Sequence, residues 1–443
     1  MAGARTFHIV GLGCPKNRVD SELIWAGLAQ AGWLAVNEAD EADLILVNTC
    51  AFIQSAVQES VDTILEMTAL RSDKRARCTK LVVAGCLPAR YRDKLLADLP
   101  EVDLFVGPAE VGQLAQLIED KGKRGLVLKA ESSFLPHHGL ARANSLGVGS
   151  AYMKVAEGCS RACTFCIIPK LRGPQHSRSI EDLVAEGQQL MRLGVGEIVM
   201  VAQDLAGWGR DLPGKPQLSD LVEALAKVEG LWWLRLMYLF PSEIPERLIQ
   251  LIDEHETILP YLDLPIQHID PGVLKGMRRT ANPEVYERLI GTLRERLPGV
   301  VLRSSLMTGF PGEDEDAFKR LEDFVGEARF ERLGVFAFSP EEGTVAAEMP
   351  DQVPAELAEE RRSRIMELQQ PIAEAYHQTL VGQSLEVIVD GVQADGSPVG
   401  RAWNQAPEVD GVCYLKGHAT VGDVVRARVT EADAYDLTAE VIA

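Results

Sequence analysis

The chain has 443 residues, too many for one compact core, and a prior of roughly 150 residues per domain points to three domains. Hydrophobic residues make up 46% and charged residues 25%, which excludes a disordered, collagen-like or disulfide-scaffold chain. With 65 acidic residues against 45 Lys and Arg the net charge is −20, so broad nonspecific nucleic-acid binding is not expected and basic partners are favoured.

Residues 1 to about 120 alternate strand and helix, the signature of βα units and a parallel sheet. Phe7-His8-Ile9-Val10-Gly11 reads as a strand with a helix near Ser21 to Ala31, and Ala42 to Val47 as a second with a helix from about Ser55. Leu81 to Ala84 is a third, with a helix around Tyr91 to Leu99. No secretory apolar region precedes the first strand and no apolar run nears the ~20 residues that span a bilayer, so a cytoplasmic location without membrane contact is expected.

Cys14, Cys50 and Cys86 follow these three strands, 36 residues apart. Parallel strands end at one sheet edge, where open α/β sheets bind ligands, so the three thiols should converge. The glycines beside Cys14 and Cys86 permit tight turns. Three buried apolar cysteines are the plainer alternative. Residues 121 to 150 read as a weak spacer, in which His137 and His138 are solvated loop residues.

From about Ala151 to Gln370 six strand-like segments alternate with helical stretches: Tyr152 to Ala156, Glu197 to Ala202, Trp233 to Leu239, Leu262 to Ile266, Val300 to Thr308 and Leu333 to Phe338. Six βα units are too few for a closed eight-stranded barrel, so a partial barrel with its site at the strand C-termini is expected. A charged helix from Pro354 to about Gln378 then leads to short strands within 376–443, a small all-β barrel of OB-like class.

The decisive motif follows the first barrel strand: Glu157-Gly158-Cys159-Ser160-Arg161-Ala162-Cys163-Thr164-Phe165-Cys166. It supplies three thiolates within eight residues and no fourth Cys or His nearby, whereas structural zinc closes with four ligands. Three soft ligands suit an iron–sulfur cluster with one open iron.

This spacing resembles the radical S-adenosylmethionine superfamily. With the N-terminal triad added, the chain resembles the methylthiotransferases. Gly13-Cys14-Pro15-Lys16-Asn17, Val47-Asn48-Thr49-Cys50, Gly85-Cys86, Arg172-Gly173, Ser177-Arg178 and Gly309-Phe310-Pro311-Gly312-Glu313 match the motifs of that family. The resemblance implies an α/β class chain with an N-terminal α/β domain (1–122), a partial (βα)6 radical-SAM barrel (145–372) and a TRAM barrel (376–443). It implies two 4Fe–4S clusters, one on Cys159, Cys163 and Cys166 and a sulfur-donating one on Cys14, Cys50 and Cys86, with their open irons facing one cavity. One S-adenosylmethionine would methylate sulfur; another would yield the 5′-deoxyadenosyl radical that opens the substrate carbon to the methylthio group.

Within the family the chain is most similar to the branch that acts on the β-carbon of an aspartate in ribosomal protein S-twelve. Gln203-Asp204, Leu264-Pro265-Ile266-Gln267-His268 and Ala406-Pro407-Glu408-Val409-Asp410-Gly411 carry that similarity. The tRNA branch more often reads Gln-Asn at Gln203-Asp204. From Tyr376 to Ala443 there are ten acidic and four basic residues, 4 − 10 = −6, which suits a basic protein better than RNA phosphates.

The resemblance also implies an external electron donor. Gln203 and Gln267, just after predicted strands, are expected to orient cofactor or substrate. Gly309 and Phe310 are expected to shape the S-adenosylmethionine pocket through their backbone, although a plain turn also explains them. Phe165 is expected against the adenine, or packed beneath its loop. His268 reads equally well as a structural histidine, and Trp208, Trp232 and Trp233 as core or rim. Cys78 and Cys413 are read as non-ligands, and Glu313 to Asp316 as a helix N-terminus. No acid–base residue is assigned. A tRNA adenosine methylthiotransferase and a non-enzymatic iron–sulfur or zinc scaffold are the rival readings.

Overall fold

The computed structural model describes residues 4–72, 77–120, 123–128, 134–279 and 282–442. Parts of the expected spacer, 121–122 and 129–133, lie outside the described residues, as do 73–76 ahead of Cys78. The chain divides into two compact units, one of 1–145, 154–161 and 166–178, the other of 146–153, 162–165 and 179–443. Among the described residues no helix is long and apolar enough to cross a membrane.

The first unit is built on a parallel six-stranded sheet of β1 (Thr6–Gly11), β2 (Leu34–Ala35), β3 (Leu44–Thr49), β4 (Lys80–Gly85), β5 (Leu104–Val106) and β6 (Gly125–Val127), in the order β2-β1-β3-β4-β5-β6. Every residue of β3 is buried, as expected of a strand covered on both faces. The sequence reading finds β1, β3 and β4 and misses β2, β5 and β6. These are two or three residues long, too short to leave a period-2 pattern. The helix expected around Tyr91 to Leu99 is two short helices, Cys86–Tyr91 and Lys94–Asp98, parted where Arg92 adopts a φ of 49°.

The spacer is less loose than its composition suggests. Buried Glu22, on the Pro15–Gln30 helix, accepts from Arg142 Nε at 2.7 Å and Ser145 N at 2.9 Å. A two-stranded ladder of β8 (Ala156–Glu157) and β9 (His176–Ser177) completes this unit. The strand expected through Ala156 therefore breaks after β7 (Ser150–Lys154).

In the second unit β7 joins β10 (Glu197–Val201), β11 (Trp233–Leu236), β12 (Ile258–Asp263), β13 (Val301–Thr308) and β14 (Arg332–Ala337) in an open six-stranded sheet of order β14-β13-β12-β11-β10-β7. Pairing is parallel from β10 to β14, the partial barrel read from the sequence. The helix Ala355–Gln378 leads to a closed barrel of β15 (Ser384–Val392), β16 (Pro398–Ala402), β17 (Cys413–Lys416), β18 (Val424–Ala432) and β19 (Leu437–Val441), in the order β15-β16-β17-β19-β18.

Buried ions fasten this small barrel to the first residues of the sheet strands. Glu197, which opens β10, accepts from Arg235 Nε at 2.7 Å, Arg401 Nη2 at 3.0 Å and Ser150 Oγ at 2.7 Å. Asp410 accepts from Tyr261 Oη at 2.7 Å and from its own loop at Ala406 N, 2.8 Å away. Burial pushes the Glu197 carboxyl up, but Arg235 and Arg401 outweigh it and hold it at about 2.

Removing one partner of a buried ion pair costs about 3 kcal/mol or more, so Glu197→Gln should lower stability by that order in urea unfolding at pH 7. The folded carboxyl titrates below the unfolded one, so this stability is present above the unfolded value of about 4.3 and is lost as pH falls toward 2. The gap between parent and variant should narrow over that window.

Candidate functional site

Local backbone geometry brings the N-terminal cysteines to one sheet edge. Strand ends lie in register, Gly11 beside Asn48 and Asn48 beside Ala84, and Cys14, Cys50 and Cys86 follow those ends. Cys14 caps the Pro15–Gln30 helix and Cys86 opens the Cys86–Tyr91 helix. Gly13 has a φ of +89°, and a Cβ there would stand 2.6 Å from Cys50 Cβ and 3.1 Å from its sulfur. Glycine thus lets the Cys14 turn close directly onto Cys50. Ser60 Oγ donates to Cys50 O at 2.8 Å and accepts from Cys50 N at 3.2 Å. Thr49 Oγ1 donates to Ala84 O at 2.6 Å and accepts from Leu87 N at 3.2 Å.

The Cys50 and Cys86 thiols feel the charge of their neighbours. Burial, then Cys86 and Cys14, push the Cys50 thiol up to about 11. Burial pushes Cys86 up as well, beyond what Arg172 offsets. Burial also opposes ionisation of Cys14, but Lys16 and Arg172 outweigh it and hold that thiol below its ordinary value.

The loop that begins at Gly158 and carries Cys159 is fixed by its own contacts. Gly158 has a φ of +78°, and a Cβ would lie 2.2 Å from Pro174 O. Cys159 N donates to Gly173 O at 3.1 Å. Cys159 and Cys166 belong to the first unit with Cys14, Cys50 and Cys86, and Cys163 to the second. Among the described residues no three His, Cys, Asp or Glu side chains are placed to grip a single metal ion. An iron–sulfur cube takes one thiolate per iron corner, so its ligands stand further apart than those of one ion. A soft, all-thiol donor set with close backbone approach at Gly13 and Gly158 fits such a group.

Between the cysteine loops lies a network absent from the sequence reading. Lys154 Nζ pairs with Asp20 and, at 2.7 Å, with Glu157. Arg172 Nη1 reaches Asp20 Oδ2 at 3.1 Å and Glu157 Oε2 at 3.0 Å, Nη2 reaches Asn17 Oδ1 at 3.2 Å, and Nε reaches Cys86 Sγ at 3.4 Å. All four charged side chains are buried. Burial alone would raise Glu157, but Arg172 and Lys154 outweigh it and hold it at about 2. A cavity of about 390 Å³ adjoins the network and is lined by Arg92, Lys170, Arg172 and His176 opposite Glu110 and Glu157.

In the second unit Gln203 follows β10, and Gln267, with a φ of 75°, bridges to β13 by accepting from Met307 N at 2.7 Å. Phe165 is half-buried against a cluster of Val273, Met277, Phe310, Phe338 and Ala346. Phe310 lies inside that cluster with no exposed surface, edge-on to Phe338 at 5.5 Å. A side-chain contact from Phe310 to a nucleoside is therefore closed off, and only its backbone is available. Gly309 has a φ of +75°, and a Cβ would meet Ala358 Cβ at 2.2 Å, so it is required for helix packing as well as for the turn.

His268 is structural. Its Nδ1 accepts from Asp270 N at 2.9 Å, so Nε2 donates to Glu313 Oε2 at 3.1 Å. Glu313 also accepts from Gly309 N and Arg361, while Asp314 caps the Glu315–Ala328 helix as expected. Cys78 is buried in the core of the first unit and Cys413 in that of the small barrel.

Residues 153–325 match the Radical SAM superfamily, residues 381–442 the TRAM domain, and residues 6–107 the uncharacterized protein family UPF0004. Ribosomal protein uS12 methylthiotransferase RimO of Geobacter sulfurreducens is 45% identical over 440 residues, covering 98% of both chains. The RimO of Myxococcus xanthus is 45% identical over 441 residues, covering 99% of this chain and 92% of the relative. The chain belongs to the RimO family. The radical S-adenosylmethionine methyltransferase TsrM from Kitasatospora setae, solved with cobalamin and a 4Fe–4S cluster, superposes with a TM-score of 0.55. It is 16% identical and covers 78% of this chain and 77% of its own, a likeness of fold. The Radical SAM and TRAM matches agree with the radical-SAM sheet and TRAM barrel expected from the sequence.

A methyl group at position 13 would press on Cys50. Gly13→Ala should cut the iron bound after anaerobic reconstitution from roughly eight to roughly four atoms per chain, read by colorimetric iron assay.

Proposed function

We propose that this chain inserts a methylthio group at the β-carbon of an aspartate in ribosomal protein uS12, by radical C–H activation with S-adenosyl-L-methionine. The observation that carries the reading is 45% identity to RimO over nearly the whole of both chains. Two 4Fe–4S clusters and S-adenosylmethionine are its cofactors. Cys159, Cys163 and Cys166 would hold one cluster, and Cys14, Cys50 and Cys86 the other. Bound there, the first cluster would supply the electron that cleaves S-adenosylmethionine, and the second would carry the sulfur to be transferred.

The residues of the chain orient and shield. Gln203 and Gln267 present amides beyond strand ends, the side of a parallel barrel where ligands bind, and are proposed to hold cofactor or substrate by hydrogen bonds. Phe165 is proposed to line the adenine side of that pocket, and Gly309 and Phe310 to contribute through backbone. The domain limits 1–122, 145–372 and 376–443 remain the working division for truncation.

The finer partner reading is that the TRAM barrel meets the basic substrate by charge. Among the described residues of 376–442 seven acidic side chains are exposed (Glu386, Asp395, Glu408, Asp423, Glu431, Asp433 and Glu440) against Lys416, Arg426 and Arg428. A surface of that balance favours lysine- and arginine-rich protein over tRNA phosphates. The enzyme would work in the cytoplasm, where its substrate is made, with an external one-electron donor.

Tandem mass spectrometry of uS12 from a deletion strain should show one aspartate lacking its methylthio group, with tRNA nucleosides unchanged. Complementation by the parent should restore the modification, and Cys50→Ala should leave it at background. Full modification with Cys50→Ala would refute the two-cluster reading.

A further inference from the structure

We propose that Arg172 is a positioning residue for the Cys14–Cys50–Cys86 site, hydrogen-bonding the Cys86 sulfur so as to raise the reduction potential of the cluster held there. This rests on the proposed assignment of those cysteines as cluster ligands. Arg172 Nε lies 3.4 Å from Cys86 Sγ with the guanidinium fully enclosed. The other nitrogens cannot swing away. Nη1 is held by Asp20 and Glu157, and Nη2 by Asn17 Oδ1 at 3.2 Å. Asn17 is itself fixed, donating to Leu12 O at 2.6 Å.

The arrangement has a direction. Arg172 stands six residues beyond Cys166, yet its donor points at the sulfur of another cysteine group. A charged N–H on a cluster thiolate withdraws electron density and stabilises the reduced form, and low local dielectric strengthens the effect. The buried carboxylates of Asp20 and Glu157 neutralise Arg172 and Lys154, so the fork is held in place by balanced ion pairs. A generic structural arginine needs only those pairs; the contact to sulfur is additional.

The test uses the full-length chain with Cys159, Cys163 and Cys166 replaced by Ala, reconstituted anaerobically, and a potentiometric titration followed by electron paramagnetic resonance. If this chain takes up no cluster, the ligand assignment fails and the inference falls with it. If it does, Arg172→Lys keeps the buried charge but cannot reach Asp20, Glu157 and Cys86 together. Its potential should fall by the equivalent of about a tenfold change in the reduction equilibrium, ~59 mV for one electron. The counterpart chain with Cys14, Cys50 and Cys86 replaced should show no shift from the same substitution. An unchanged potential in the first chain, or equal shifts in both, overturns the proposal. Should Arg172→Lys fail to load a cluster, Asn17→Ala decides, since it leaves every charge in place and frees the Nη2 end of the fork: a lowered potential supports the inference and an unaltered one overturns it.

Discussion

The structure of the first unit turns on one buried guanidinium. Arg172 joins Asn17 and Asp20, on the Pro15–Gln30 helix, to Glu157, at the end of β8, and touches Cys86 after β4. Asp20 and Glu157 carry two negative charges, Lys154 and Arg172 two positive, so the cluster is neutral as a set. Burying four ions is expensive, and removing any one leaves its partners desolvated and unpaired. Such a network is weak support for stability but strong support for geometry, because only one arrangement of the loops satisfies every member. It explains why residues more than 130 positions apart, Asp20 and Lys154, each fall inside a cysteine-bearing stretch.

Backbone conformation does the remaining positioning. Gly13 and Gly158 stand at φ values of +89° and +78°, each with a neighbour where a Cβ would go. Those close approaches set the turn before Cys14 against Cys50 and the turn before Cys159 against Gly173 and Pro174. Side chains could not approach so closely. Cysteine placement is therefore a property of the turns, and the thiols are carried by them.

Long apolar elements were legible in the sequence because burial on two faces, as in β3 and β4, leaves continuous hydrophobic runs. Short edge strands such as β2 are set by pairing with β1 and left no such trace. The cysteine spacing was legible, while the partners of the loops were not, since tertiary ion pairs have no periodicity. One signal was available: Lys154 interrupts the apolar run Ala151-Tyr152-Met153, and Glu157 lies three residues on. A lysine in a buried strand demands a counter-ion. Phe310 shows a second point, where the side chain of a motif residue serves the core beneath it and only its backbone is left to face a ligand.

Charge counted along a chain is also not charge presented to a partner. The ten acids of the C-terminal segment include Asp390, paired with Arg401 at 2.7 Å, and Asp410, turned toward Tyr261, Arg303 and Arg332 of the sheet strands. Both belong to the joint that fixes the barrel to the sheet, as does Arg401, the one base of the segment that is buried. On the outside, Glu386 faces Arg426 across β15 and β18, Arg428 faces Glu440 across β18 and β19, and Lys416 pairs with Glu431 at 3.0 Å. Cross-strand pairs of this kind neutralise much of the strand surface. The exposed acids outside these cross-strand pairs stand on the turns, at Asp395, Glu408, Asp423 and Asp433. Any electrostatic grip of the barrel on a basic protein must therefore run through its loops and not through its strand faces.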